Sequence, residues 1–171
     1  MTILRHTLIA AVIVAAVAFA PATQDSKTAA SKPPSAAVEP LPGREYSGMY
    51  SFLKEGEFVQ VTVEEEGRVT GFLSRYGDGR SDKGTFLDQY FRSGKLDGNK
   101  LTFSTETVHA VWFEFKGTVE RGEGKTPADE AYYVLKGTLT DNRADEAKRV
   151  SAHSQEVVFK RFPAEASPAK N

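Results

Sequence analysis

The sequence predicts an all-β domain of about eight antiparallel strands, a meander coiled into a closed or nearly closed barrel. Three observations predict it. Apolar and polar residues alternate with a period of two, turn signals recur about every ten residues, and four glycines sit inside strand patterns between large apolar residues.

The alternation is clearest in three runs. Val59, Val61 and Val63 alternate with Phe58, Gln60, Thr62 and Glu64; Val111, Phe113, Phe115 and Val119 alternate with Trp112, Glu114, Lys116 and Thr118. Tyr133, Leu135 and Leu139 alternate with Val134, Lys136, Thr138 and Thr140. Half-buried strands show this pattern because successive side chains point to opposite faces. Breaks fall at Glu55-Gly56, Glu66-Gly67, Gly77–Gly84, Asp97-Gly98 and Gly122–Gly124. The strands expected are 45–53, 57–65, 68–76, 85–94, 100–107, 110–121, 131–141 and 155–162, with sequence neighbours paired. Asp141–Ser154 is expected to be a charged loop containing His153, with one or two helical turns over 143–149.

Closure is argued from Gly48, Gly71, Gly117 and Gly137, each flanked two residues away by large apolar side chains. A mid-strand glycine costs about 0.5–1 kcal/mol relative to alanine, so its repeated use needs a structural reason. Relief of crowding on the inner wall of a tightly coiled barrel is one such reason. Bulges in a flatter β-sandwich are the alternative.

Ahead of this domain, residues 1–22 read as a secretory signal peptide. Arg5 is followed by an apolar run of 12 residues, Leu8 to Phe19, and then by small residues. Cleavage after Ala20 would leave Pro21 first, so cleavage after Ala22 is preferred. An uncleaved anchor is the alternative, but a 12-residue helix spans about 18 Å against a hydrocarbon core of roughly 30 Å. The expected product is exported, periplasmic or extracellular, with no stable membrane insertion after cleavage. Residues 23–43 form a Pro/Ala/Ser-rich flexible linker, 44–162 the barrel domain and 163–171 a disordered tail of similar composition. A formal net charge of −1 gives no field to recruit nucleic acid. The chain has no cysteine, which excludes disulfides, zinc–thiolate sites, thiol catalysis and a lipoprotein anchor.

Gly48-Met49-Tyr50, with Lys160 and Arg161 in the last strand, resembles the calycins, the group of lipocalin, fatty-acid-binding and avidin-like barrels. In many of these, Gly-x-Trp on the first strand lies beneath a basic residue from the last; here Tyr replaces Trp. Val61-Thr62-Val63 through Val69-Thr70-Gly71 is similar to the first hairpins of avidins. The resemblance implies an eight-stranded meander across the whole domain. It does not imply biotin binding. Aligned through Gly67 and Gly71, the avidin positions for the biotin head group read Phe52, Glu57, Leu73 and Arg75, which lack that family's Asn, Ser and Tyr.

Candidate site residues follow from chemistry. The aromatics concentrate on the expected strands, and Tyr50, Phe52, Tyr90, Phe113 and Tyr133 are candidates to line an apolar pocket with hydroxyl handles. Packing of the core is their alternative use. His109 shares phase with Val111 and Phe113; pointing inward beside Glu106, Glu114 or Asp88, it would be a general base. Asp78–Gly84 lacks the ligand spacing of a calcium loop, because Arg80 and Lys83 stand at the wrong positions. No metal or cofactor motif is present, and neither a Gly-x-Ser-x-Gly nor a phosphate loop occurs. The leading expectation is a non-enzymatic exported barrel holding a small apolar molecule. The alternatives are an interaction or inhibitor module of the cell envelope, using Trp112 and the Gly122–Ala131 loop on an envelope protein, and an envelope hydrolase or isomerase.

Overall fold

The computed structural model describes residues 41–164; the expected leader, most of the expected linker and residues 165–171 lie outside the described residues. A short 3-10 turn, Arg44–Tyr46, precedes eight strands. These are β1 (Gly48–Ser51), β2 (Phe58–Val63), β3 (Val69–Tyr76), β4 (Phe86–Asp97), β5 (Lys100–Thr105), β6 (Val111–Arg121), β7 (Tyr133–Ala144) and β8 (Val150–Lys160). They form one sheet in chain order, each neighbour antiparallel. The ends meet at one place: Tyr50 bridges Arg161, Phe162 N–H donates to the Met49 carbonyl at 2.9 Å, and Lys160 N–H to Ser51 Oγ at 2.9 Å. The expected barrel is the fold, closed at that end; it is not a two-layer sandwich.

Coiling this tight brings backbones together on the inner wall. Gly117 and Gly137 stand directly opposite each other in the β6–β7 ladder, and a Cβ on either would collide with the other strand's backbone. A Cβ on Gly71 would run into the Gln60 carbonyl oxygen of β2. Larger residues on either side of these gaps turn inward. Val59, Val61, Leu73, Leu101, Phe103, Phe113, Phe115, Leu135, Leu139 and Phe159 are buried in one core. Its rings form a column: Phe103 stacks on Phe115 at 5.2 Å, Phe115 meets Phe159 at 5.9 Å, and Phe52 touches Phe159 at 5.2 Å and Phe113 at 5.4 Å.

The structure corrects four local expectations. Residues 45–46 belong to the 3-10 turn, so β1 is four residues long. β4 runs on to Asp97 past a bulge between Phe91 and Ser93, which flips the alternation there and disguised its second half. His109 is not a strand residue: with Ala110 it makes the tight β5–β6 turn, both in the left-handed region (φ 50° and 64°). The expected charged loop 141–154 is mostly the paired arms of the β7–β8 hairpin, which places His153 opposite Asp141. Its turn closes on Asp145, whose carboxylate accepts from the Arg149 N–H and Nε–H at 2.8 Å each. The sequence hid these arms because residues 150–156 are exposed on both faces and have no apolar side to alternate.

Replacing Gly71 with alanine is expected to cost about 1–3 kcal/mol, the range for overpacking a closed site. Gly98→Ala, with nothing within 4 Å of the added Cβ, is the less damaging control and carries only the penalty of its left-handed φ. Urea midpoints of the two variants measure the difference.

Candidate functional site

Antiparallel order sends the loops 52–57, 77–85, 106–110 and 145–149 to one end of the barrel and leaves the 3-10 turn at the other. The 3-10 end is plugged. The Tyr50 hydroxyl donates to the Tyr46 carbonyl at 2.6 Å, the Tyr46 ring meets Tyr133 edge-on at 5.0 Å, and Ser47 Oγ accepts the Val63 N–H at 2.9 Å. Burial raises the pKa of both Tyr50 and Tyr133 above the ordinary phenol value, Arg161 partly opposing it at Tyr50 and Arg121 at Tyr133, so both hydroxyls stay neutral. Arg161 lies across Gly48, where any Cβ would meet its Nε, in the manner of the calycin signature.

The opposite end is polar. Arg75, 4% exposed, donates from Nε to Gln89 Oε1 at 2.7 Å and from Nη1 to the Tyr76 carbonyl at 3.2 Å. Gln89, fully buried, donates in turn to the Val111 carbonyl at 2.8 Å and the Glu106 carbonyl at 3.1 Å. The guanidinium carbon sits 5.6 Å from the Phe113 ring centre. A buried guanidinium is costly unless its donors and charge are matched. Its nearest carboxylate here is Asp78, at 3.6 Å. Among the described residues, no acceptor takes its Nη2 group. Glu57, also buried, is committed locally: its carboxylate accepts the Lys54 N–H at 3.1 Å and the Tyr76 N–H at 3.0 Å.

Loop 77–85 crosses this end on two tethers. Asp78 accepts from Arg143 Nη1 at 2.6 Å, and Arg143 also grips Asp141. Burial alone would raise the Asp78 carboxyl, but hydrogen bonding and charge from Arg143 more than reverse it and hold it below the usual carboxylate range. Asp82 pairs with His109 Nδ1, and that hydrogen bond lowers the Asp82 carboxyl too. An ionised carboxylate only accepts, so His109 carries its proton on Nδ1. The second Asp82 oxygen is buried with no partner among the described residues.

The structure divides the sequence-derived candidates. Phe113 lies beneath Arg75 and packs edge-on against Phe52; Tyr50 and Tyr133 lie at the plugged end. Tyr90 is 58% exposed on the outer face, in an aromatic strip with Phe72 (5.7 Å) and Phe58. His109 is exposed at the rim, where it holds Asp82, and no hydroxyl is hydrogen-bonded to its other nitrogen among the described residues. Glu114 is on the outer face between Ser104 and Thr140, Asp88 is exposed on the outer face opposite Ser74, and Glu106 is exposed. The structure does not gather these carboxylates around the imidazole. Trp112 stands on the outer face, partly buried beside Asn142 in the ladder. Sequence reasoning missed Gln89 and the Asp78–Arg143 tether. Gln89 keeps the inward phase of Phe91, which is the signal that could have found it.

No protein-family model matches this chain, and no curated protein sequence matches it. Solved structures do. The crystal structure of rhizavidin superposes with a TM-score of 0.54 at 11% identity, covering 72% of this chain and 87% of that one. A rhizavidin–biotin complex gives 0.51 at 12%, covering 68% and 99%. Intact afifavidin in its apo form gives 0.53 at 12%, covering 75% and 93%. The fold is therefore that of an avidin-like, calycin-type barrel.

Both tethers contribute stability above about pH 4, the unfolded carboxyl value, and lose it as pH falls through the lower folded values. Amide exchange in loop 77–85, corrected for intrinsic rates, is expected to speed up as pH drops from about 5 to about 2, ahead of global unfolding. Arg143→Ala is expected to loosen the same loop at neutral pH by about 0.2–1 kcal/mol, kept small by solvent exposure of the pair.

Proposed function

We propose that this chain is an exported small-ligand-binding barrel whose site is the polar mouth under loop 77–85. The ligand class is a small, largely apolar molecule carrying a carbonyl or carboxylate. The observation that carries the reading is Arg75: a buried guanidinium over the Phe113 ring, which itself packs against Phe52, with no acceptor on its Nη2 among the described residues. An apolar body against Phe52 and Phe113, with its acceptor end on Nη2, satisfies both requirements of such a site. The middle of the lumen is filled by the Phe103–Phe115–Phe159 column, which favours the mouth over the depth of the lumen in this reading.

The avidin-like neighbours support the reading at the level of fold, since one of them is a complex with biotin. Biotin itself is not the ligand proposed here. Of the four aligned head-group positions, Glu57 is spent on two backbone N–H groups, and Phe52 and Leu73 offer no hydrogen bond. Export rests on Arg5 and the Leu8–Phe19 run, which read as a leader. It is tested by fractionation and by the N-terminus of the mature chain, expected at Thr23.

Native mass spectrometry of protein from its own host is expected to show a retained small molecule. Arg75→Gln should lower its occupancy about tenfold or more, the cost of losing one charge-assisted hydrogen bond. Full occupancy in a folded Arg75→Gln variant sinks the assignment of the site.

A further inference from the structure

β8 is the last strand of the sheet, and β1 reaches only its final residues. Arg161 N–H donates inward to the Tyr133 carbonyl, while Lys160 N–H and Phe162 N–H go the other way, to Ser51 and Met49. Antiparallel alternation therefore turns the N–H and C=O groups of Val150, Ala152, Ser154, Glu156 and Val158 away from β7. Among the described residues, no strand lies on that side. Natural edges of this length are blunted by lysine, proline or bulges. This one has no proline, lysine or arginine between Val150 and Phe159, and its ladder with β7 is unbroken. It also exposes two valines, Val150 (58%) and Val158 (53%).

We propose that this edge pairs antiparallel with β8 of a second copy of the chain, about a two-fold axis at Ser154. Every outward-bonding residue then finds an outward-bonding partner. Val150 of one copy faces Val158 of the other, Ala152 faces Glu156, and Ser154 faces its own copy. On the opposite face His153 meets Gln155 and Ser151 meets Val157, so no like charges oppose each other. Moving the axis one residue either way puts Val150 against Glu156 or Lys160. The exposed valines thus select the register. The chain's own linker and tail are poorer occupants, since Pro33, Pro34, Pro40, Pro42, Pro163 and Pro168 remove donors along them.

The test uses the purified chain. Sedimentation or native mass spectrometry is expected to give a two-copy mass at micromolar concentration. Val158→Lys, at an exposed position, should raise the dimer dissociation constant about tenfold or more without changing the circular dichroism spectrum. Because the chain has no cysteine, Ser154→Cys gives an independent readout. Directly bonded antiparallel residues lie about 5.5 Å apart at Cα, within disulfide reach, so oxidation should cross-link that variant and leave Thr62→Cys, on the far outer face, without a covalent cross-link. A one-copy mass at high concentration overturns the proposal. So does a dimer that withstands Val158→Lys while Ser154→Cys fails to cross-link.

Discussion

The fold depends on one steric constraint, the contact of backbone with backbone on the inner wall. β6 and β7 meet at Gly117 and Gly137 with no room for a side chain between them, and β3 closes on β2 at Gly71 in the same way. Strands that touch here can coil sharply enough for β8 to come round to β1. Arg161 then covers Gly48, and the bridge to Tyr50 shuts one end. With a side chain at any of these points the wall would stand off, and the ring column from Phe103 to Phe159 would lose its contacts.

Closure at one end polarises the barrel. The 3-10 turn and the Tyr46–Tyr133 pair fill the shut end with rings. At the other end Arg75, Asp78, Asp82, His109, Asp141 and Arg143 gather around a single loop. A buried arginine in such a place adds little to stability on its own account. Its surroundings matter for what they leave unfilled: Gln89 fixes the orientation of the guanidinium through Nε, and Nη2 takes no acceptor among the described residues.

The period-two signal made the strands legible, and the glycines made closure legible, because both reflect local crowding that every residue on a face must obey. What the sequence hid follows from the same physics. Residues 150–156 belong to a strand held by its ladder alone, so they carry no buried face to read. The bulge after Phe91 inverts the phase of β4 within a single residue. Counting aromatics on strands could not separate inside from outside, since Phe72, Phe86 and Tyr90 are as aromatic as Phe103 and Phe113 but stand on the outer wall. His109 kept the right phase with Val111 but sits in a turn, where phase has no meaning. The mouth itself was visible only in fragments, because its contacts join residues as distant as Asp78 and Arg143.

One mismatch of lengths links the mouth to the bare edge. β1 has four residues and β8 eleven, so the front wall stops at the 52–57 turn while the back wall of β6, β7 and β8 continues upward. That missing stretch of front wall is what leaves Val150 to Val158 without a neighbouring strand among the described residues. Extending β1 to pair along all of β8 would satisfy the edge from within the chain. Loop 77–85, anchored through Asp78 to the tall wall at Arg143, spans the gap without filling the ladder. A strand from outside would complete the same ladder while leaving the first hairpin short.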